Sequence, residues 1–207
     1  AERVGMLDIL SKGRVDFGIG KGGTVQEAGA FETELEDIPV ELEESARIIP
    51  KMWSEEEFSY ESERLKIPPR PIHPKPHQDP HPPMYLACTR EATLNEAGEW
   101  GLGALCLGFG GPDDVAQKNR VYRAAVERRT KESQIPDFPT VHLAALCPAI
   151  VLDDGLKARK IGHRGQRFFT ESIRHWYQAG PPPGIHEGED DAAALAQEGE
   201  ELVAFLH

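Results

Sequence analysis

Residues 84–107, MYLACTREATLNEAGEWGLGALCL, hold an apolar run, a turn, a helical segment, a glycine stop and a second apolar run. Met84 to Cys88 is short and apolar and reads as a strand. Arg90 to Trp100 has helical spacing and stops at Gly101, which tolerates a left-handed conformation. Ala104 to Leu107 is the next strand. Strands joined through a helix must run parallel, with right-handed crossovers. The pattern continues downstream. Pro112, Asp113 and Asp114 supply helix-start chemistry for a helix reaching about Glu132, with Val115, Tyr122 and Val126 inward. Val141 to Val151 is expected as a strand cut short at Pro148. Asp153 and Asp154 then open a helix whose Ile161, Phe168, Phe169, Ile173 and Trp176 should face a core.

Upstream, Ala1, Val4, Leu7 and Leu10 follow a helical stripe that ends at Ser11-Lys12-Gly13. A strand follows in which Val15, Phe17 and Ile19 alternate with Asp16, Gly18 and Gly20, so one face is bulky and the other is small enough to admit a ligand. Lys21 to Pro39 reads as a long acidic loop carrying Phe31, and Leu42 to Trp53 as a helix that Pro50 should kink. Phe58 to Lys66 suggests a small hairpin. Eight prolines between Pro68 and Pro83 force extended backbone there. Gly180 to Asp191 reads as a linker before a terminal helix from Ala192 to Leu206. The domain therefore divides as 1–179, linker 180–191 and terminal helix 192–207. Four strands alternating with helices fit either a doubly wound sheet or an arc of a β/α barrel. The chain opens inside an element and reads as a fragment, too short to hold a complete eight-stranded barrel of about 250 residues.

Composition narrows the function. With 23 Lys+Arg against 35 Asp+Glu, the formal charge is -12, which repels nucleic acid and anionic membranes. The absence of a long apolar run or leader pattern predicts a cytoplasmic protein. Thirteen acidic and two basic residues between Glu27 and Glu63 read as a solvated face. Cys88, Cys106 and Cys147 sit in apolar stretches and are expected to be reduced core residues. His73, His77 and His81 recur every fourth residue, but that spacing gathers ligands only in a helix, so no metal is expected.

Two strand ends could carry chemistry. Gly18-Ile19-Gly20-Lys21-Gly22-Gly23 lets a ligand approach the backbone and offers the Lys21 cation. It satisfies GxGxxG, yet an irregular loop is expected after it instead of a helix, and a structural tight turn reads it equally well. Cys88-Thr89-Arg90-Glu91-Ala92-Thr93 joins a strand to a helix whose free N–H groups suit a phosphate; the plain alternative is N-capping by Thr89. Asp16 and Glu27 read as structural, His142 falls at the strand-start end of the barrel, and no nucleophile–base–acid arrangement can be assembled.

The run Ala1-Glu2-Arg3 through Ser11-Lys12-Gly13-Arg14 and Phe17-Gly18-Ile19-Gly20-Lys21-Gly22, with Glu27 and Phe31, resembles the luciferase-like monooxygenase family. Trp53, Pro80 to Pro83, Met84-Tyr85-Leu86-Ala87 and Ala97-Gly98 extend the resemblance to about Phe109, and Phe168-Phe169 and His175-Trp176-Tyr177 still fit it. The resemblance implies a (β/α)8 TIM barrel, present here only as a fragment lacking the first strands and the last βα unit, that binds FMN, or alternatively F420, with a small organic substrate. A flavin reductase partner and a homo-oligomer are further expectations. It assigns cofactor binding to Lys21, where the family has Arg, to Thr89 and Thr93, and to backbone at Gly20 and Cys88. Glu32 stands where the family has Gly. The catalytic histidine usual in the family lies on strands that would precede Ala1. An F420-dependent reductase, a non-catalytic partner subunit and a His-rich metal module are the other readings.

Overall fold

The structure, a computed structural model, describes residues 1–22, 24–31, 33–178 and 180–196. Gly23, Glu32, Ala179 and residues 197–207, where most of the terminal helix is expected, lie outside the described residues. The elements run α1 (Glu2–Ser11), β1 (Phe17–Ile19), α2 (Val25–Ala30), α3 (Ile38–Ser54), β2 (Phe58–Glu61), β3 (Lys66–Arg70), β4 (Met84–Cys88), α4 (Glu91–Trp100), β5 (Gly103–Leu107), α5 (Pro112–Arg128), β6 (Leu143–Leu146) and α6 (Gly155–Gln178). Residues 191–196 are also helical.

Four strands form one parallel sheet in the order β1-β4-β5-β6, and β2 and β3 form a separate antiparallel hairpin. The order within the parallel sheet never reverses. A doubly wound sheet has a switch point where it reverses; an arc of a barrel does not. The sheet is therefore the barrel type, and it is open: neither the outer edge of β1 nor that of β6 pairs with a strand among the described residues.

Strand alternation sorts the two faces. Met84, Leu86 and Cys88 of β4 and Ala104 and Cys106 of β5 point outward and pack with Leu94, Ala97 and Tyr122 of the flanking helices. Tyr122, fully buried, donates its hydroxyl to the carbonyls of Leu102 and Thr140 at 3.0 and 3.1 Å, which satisfies a polar tip inside the core. Phe17 and Ile19 join this cluster, while Gly18 and Gly20 lie on the exposed inner face, as their alternation predicts. A smaller cluster of Ile48, Phe58 and Ile72 seats the hairpin against α3.

Several expectations are corrected. Along α1 the inward positions are Ala1, Val4, Gly5 and Asp8, while Leu7 and Leu10 are 56% and 73% exposed. The turn of the helix is set by Gly5, where a Cβ would stand 2.4 Å from the Pro74 carbonyl oxygen, and by the hydrogen bonds of Asp8. The glycine run leads into a helix, α2, within what reads as irregular loop. Helix α3 continues through Pro50 to Ser54, losing one backbone donor without ending. Strand β6 is four residues long, and α5 stops at Arg128. Ile161, Phe168, Phe169 and Trp176 of α6 are 43–46% exposed and do not join the core; the ring of Phe169 meets that of Phe109 at 5.8 Å.

Candidate functional site

The parallel register pairs Phe17 with Met84, Gly18 with Tyr85 and Ile19 with Leu86, so Gly20 and Lys21 leave β1 at the same end at which β4 runs on to Ala87 and Cys88. A Cβ on Gly20 would stand 3.2 Å from the Ala87 Cβ, so this strand end presents bare backbone at close quarters. Lys21 is exposed just beyond it. Its charge reaches α4: burial raises the Glu96 carboxyl above its ordinary value, and the Lys21 ammonium draws it partly back. The chain turns at Gly22, with φ +63°. Thr24 and Glu27 then form a reciprocal cap: the Glu27 N–H donates to Thr24 Oγ1 at 3.1 Å, and Glu27 Oε2 accepts from the Thr24 N–H and hydroxyl at 3.3 and 3.0 Å. Glu27 is structural, as the sequence reading has it.

At the neighbouring strand end the cap of α4 is Arg90, one residue beyond Thr89. The Arg90 N–H donates to Thr93 Oγ1 at 3.2 Å, and the Thr93 hydroxyl donates back to the Arg90 carbonyl at 2.8 Å. The hydroxyl proton of Thr93 is therefore committed to the first turn of its own helix. Thr89 stays exposed, and the N–H groups of Glu91, Ala92 and Thr93 are first-turn donors that no preceding helical carbonyl can take. The Cys88 thiol points the other way, toward the carbonyls of Leu86 and Thr93 at 3.2 and 3.3 Å, and burial pushes its pKa up to about 12. Only the Cys88 backbone can face a ligand. The fold thus brings Gly20, Lys21, Cys88 and Thr89 to two adjacent strand ends and sets Thr93 in the turn behind them.

The inner face carries one pair that no sequence pattern singles out. Tyr85 crosses β5 over Gly103, where a Cβ would stand 2.3 Å from the ring, and its hydroxyl reaches His142 Nδ1 at 3.2 Å. Burial, then the charge of Asp16, raises the Tyr85 hydroxyl above its ordinary value. The signal was present as Gly103, the one residue that leaves room for a ring to lie across the strand.

All three cysteines are free, but Cys147 is exposed, its thiol donating to the Gly108 carbonyl at 3.4 Å; it stands past the end of β6, where strand alternation no longer buries it. Among the described residues no three His, Cys, Asp or Glu side chains gather as a metal site, and no helix is long and apolar enough to cross a membrane. His81 is a packing residue, with Nδ1 2.8 Å from the Pro82 carbonyl and its ring 6.0 Å from that of Trp53. The stretch read as a linker is tied to α6: buried Arg167 binds Glu171, Glu189 and Asp191 at 3.0, 2.8 and 3.3 Å, and the Gly184 N–H donates to Glu171 at 3.1 Å.

A parallel β/α sheet of barrel order, with bare backbone, a cation and a helix N-terminus at adjoining strand ends, defines a segment of a β/α barrel with a candidate anion site at its strand ends. The chain belongs to the luciferase-like monooxygenase family, whose model matches residues 1–202. It is 30% identical over 115 residues to an F420-dependent glucose-6-phosphate dehydrogenase from Kineococcus radiotolerans, a match covering 55% of this chain and 34% of that one. The fold is similar to that of monooxygenase RslO1 from Streptomyces bottropensis, with a TM-score of 0.68 at 23% identity over 98% of this chain and 55% of that one. It is also similar to riboflavin lyase RcaE, solved with modified FMN and riboflavin, with a TM-score of 0.60 at 18% identity over 84% of this chain and 44% of that one. The matches span about a third of the length of the curated relatives.

Proposed function

We propose that this chain forms the cofactor-phosphate side of a flavin-dependent monooxygenase, gripping the terminal phosphate of FMN between Lys21 and the first turn of α4. The observation that carries this reading is the β1–β4 register, in which Ile19 pairs with Leu86 so that Lys21 and the start of α4 follow from adjoining strand ends, together with the charge of Lys21 felt at Glu96 of α4. A dianionic phosphate gains from both the free N–H groups and the helix dipole. Lys21 contributes a point charge where Arg would supply a fork, and the Thr89 hydroxyl adds a donor. Gly18 and Gly20 add no side chain of their own to the inner face at the β1 end, where Leu105 and Ala87 offer a low apolar surface on which a planar ring can rest. Reduced flavin, when bound, supplies the electrons for oxygen activation or hydride transfer; the chain's own share is to hold the phosphate and to orient the ring.

F420 is the second reading, supported by the similarity to the F420-dependent dehydrogenase. Its phosphate is a diester with one charge, so it should depend less on Lys21 than FMN does. Titrating the 207-residue chain with FMN and with riboflavin, read by flavin fluorescence, tests the grip. Lys21→Ala should weaken FMN about tenfold, equivalent to about 1.4 kcal/mol, and leave riboflavin unchanged. Equal losses for both ligands, or none, would remove Lys21 from the phosphate.

A further inference from the structure

The carboxyl ends of the four parallel strands divide by chemistry. The turns after β1 and β4 carry Lys21, Thr89 and Arg90. Residues 108–112 after β5, Gly-Phe-Gly-Gly-Pro, and 147–152 after β6, Cys-Pro-Ala-Ile-Val-Leu, hold no charged side chain and no hydroxyl. We propose, on the reading that a cofactor phosphate sits at the β1 and β4 ends, that the β5 and β6 ends form the substrate half of the site. That half takes a neutral aromatic molecule, and Phe109, Ile150 and Phe169 set the preference.

The placement of α6 puts these residues together. A Cβ on Gly162 would stand 3.2 Å from Ile150 Cγ2, and the ring of Phe169 meets that of Phe109 edge to face at 5.8 Å. Gly162 and Phe169 are seven residues apart and share one face of the helix. Helix α6 therefore crosses from the β6 turn to the β5 turn just past the strand ends, the side at which β/α barrels bind ligands. Both turns and α6 are interior segments of the chain.

The orientation of α6 is fixed from behind. Arg167 and Glu171 lie on the opposite side of the helix and bind the 184–191 segment: Arg167 reaches Glu189 at 2.8 Å, and Glu171 accepts from the Gly184 N–H at 3.1 Å. The charged side is thereby taken, and the apolar side is the one turned to the strand ends.

The floor between them is apolar as well. Ala104, Cys106 and Ala145 pack outward, so strand alternation sends Leu105, Leu107 and Leu146 to the inner face beside the two turns. A charged group set among these residues would lose its water and gain neither a cation nor a donor. A planar uncharged ring loses little, and two phenylalanines offer it edges and faces at separations that aromatic pairs favour. The similar F420-dependent dehydrogenase is named for glucose-6-phosphate; a sugar phosphate would need a second cation, which neither turn brings.

The test titrates two probes into the FMN-free 207-residue chain, read by naphthyl fluorescence: 1-naphthol, uncharged at neutral pH, and 1-naphthyl phosphate, the same ring with a charge. The parent should bind 1-naphthol and reject the phosphate. Phe169→Ala removes one aromatic partner and should weaken 1-naphthol about tenfold. Ile150→Lys, at a position 40% exposed where a lysine can keep its head in water, should weaken 1-naphthol and admit the phosphate. No 1-naphthol binding by the parent, equal binding of both probes, or binding that both variants leave unchanged would overturn the proposal. The titrations omit FMN, so their failure is distinct from failure of the phosphate grip, which the Lys21→Ala comparison of FMN with riboflavin tests by itself.

Discussion

Asp8 shows how one side chain can fix several segments at once. It is fully buried, and its carboxylate accepts from the Gln78 N–H and amide at 2.8 and 2.9 Å and from the Val15 N–H at 3.4 Å. Burial alone would raise its pKa; the hydrogen bonds from Gln78, Val15 and His77 outweigh burial and leave it below the ordinary value of 3.8. A carboxyl depressed in the folded state stabilises fully above the unfolded value, and that stability is lost as pH falls from about 3.8 toward the lower folded value. Asp8→Asn should flatten the acid limb of a melting-temperature-against-pH curve, and Asp8→Ala should cost about 3 kcal/mol by leaving buried N–H donors unpaired. An acid limb identical in parent and Asp8→Asn would refute the assignment. The sequence marks Asp8 only as a polar interruption of a helix. Its partner Gln78 is 70 residues away, and local periodicity carries no information about such a contact.

Among the elements, α4 and α5 pack directly against each other, and Gly98 is what lets them approach so closely. A Cβ there would stand 2.6 Å from the Ala125 Cβ and 2.9 Å from the backbone of Tyr122 and Val126, so one helix must move. Gly98→Ala should destabilise by about 2 kcal/mol in denaturant unfolding despite its better helix propensity. A gain in stability would mean that the helices are not in contact there. Strands β1, β4 and β5 and helices α3 to α6 were readable because each is periodic and is set off by a Gly, Pro or Asp at one end or the other. The faces of α1 and α6 were not. A hydrophobic stripe shows that a helix has an apolar side, but what covers that side is set by neighbours elsewhere, and Phe168 and Trp176 stay nearly half exposed. The cap moved from Thr89 to Arg90 for a related reason: the Thr93 hydroxyl outcompetes a side-chain cap by closing the first turn on itself.

For the molecule as a whole, the unreversed strand order β1-β4-β5-β6 both identifies the barrel class and brings Lys21 and the start of α4 together, since consecutive strands lie side by side. Of the candidate site, the two strand ends were legible as glycine and helix-start patterns; their adjacency required the register, and the Tyr85–His142 contact required the third dimension. Amide chemical shifts of the 207-residue chain during parallel FMN and riboflavin titrations measure that adjacency at the atoms concerned. The account predicts that the N–H signals of Glu91 and Ala92 and the Lys21 side chain move with FMN and stay put with riboflavin. Movement that is the same for both ligands, or that leaves the first turn of α4 untouched, would contradict it.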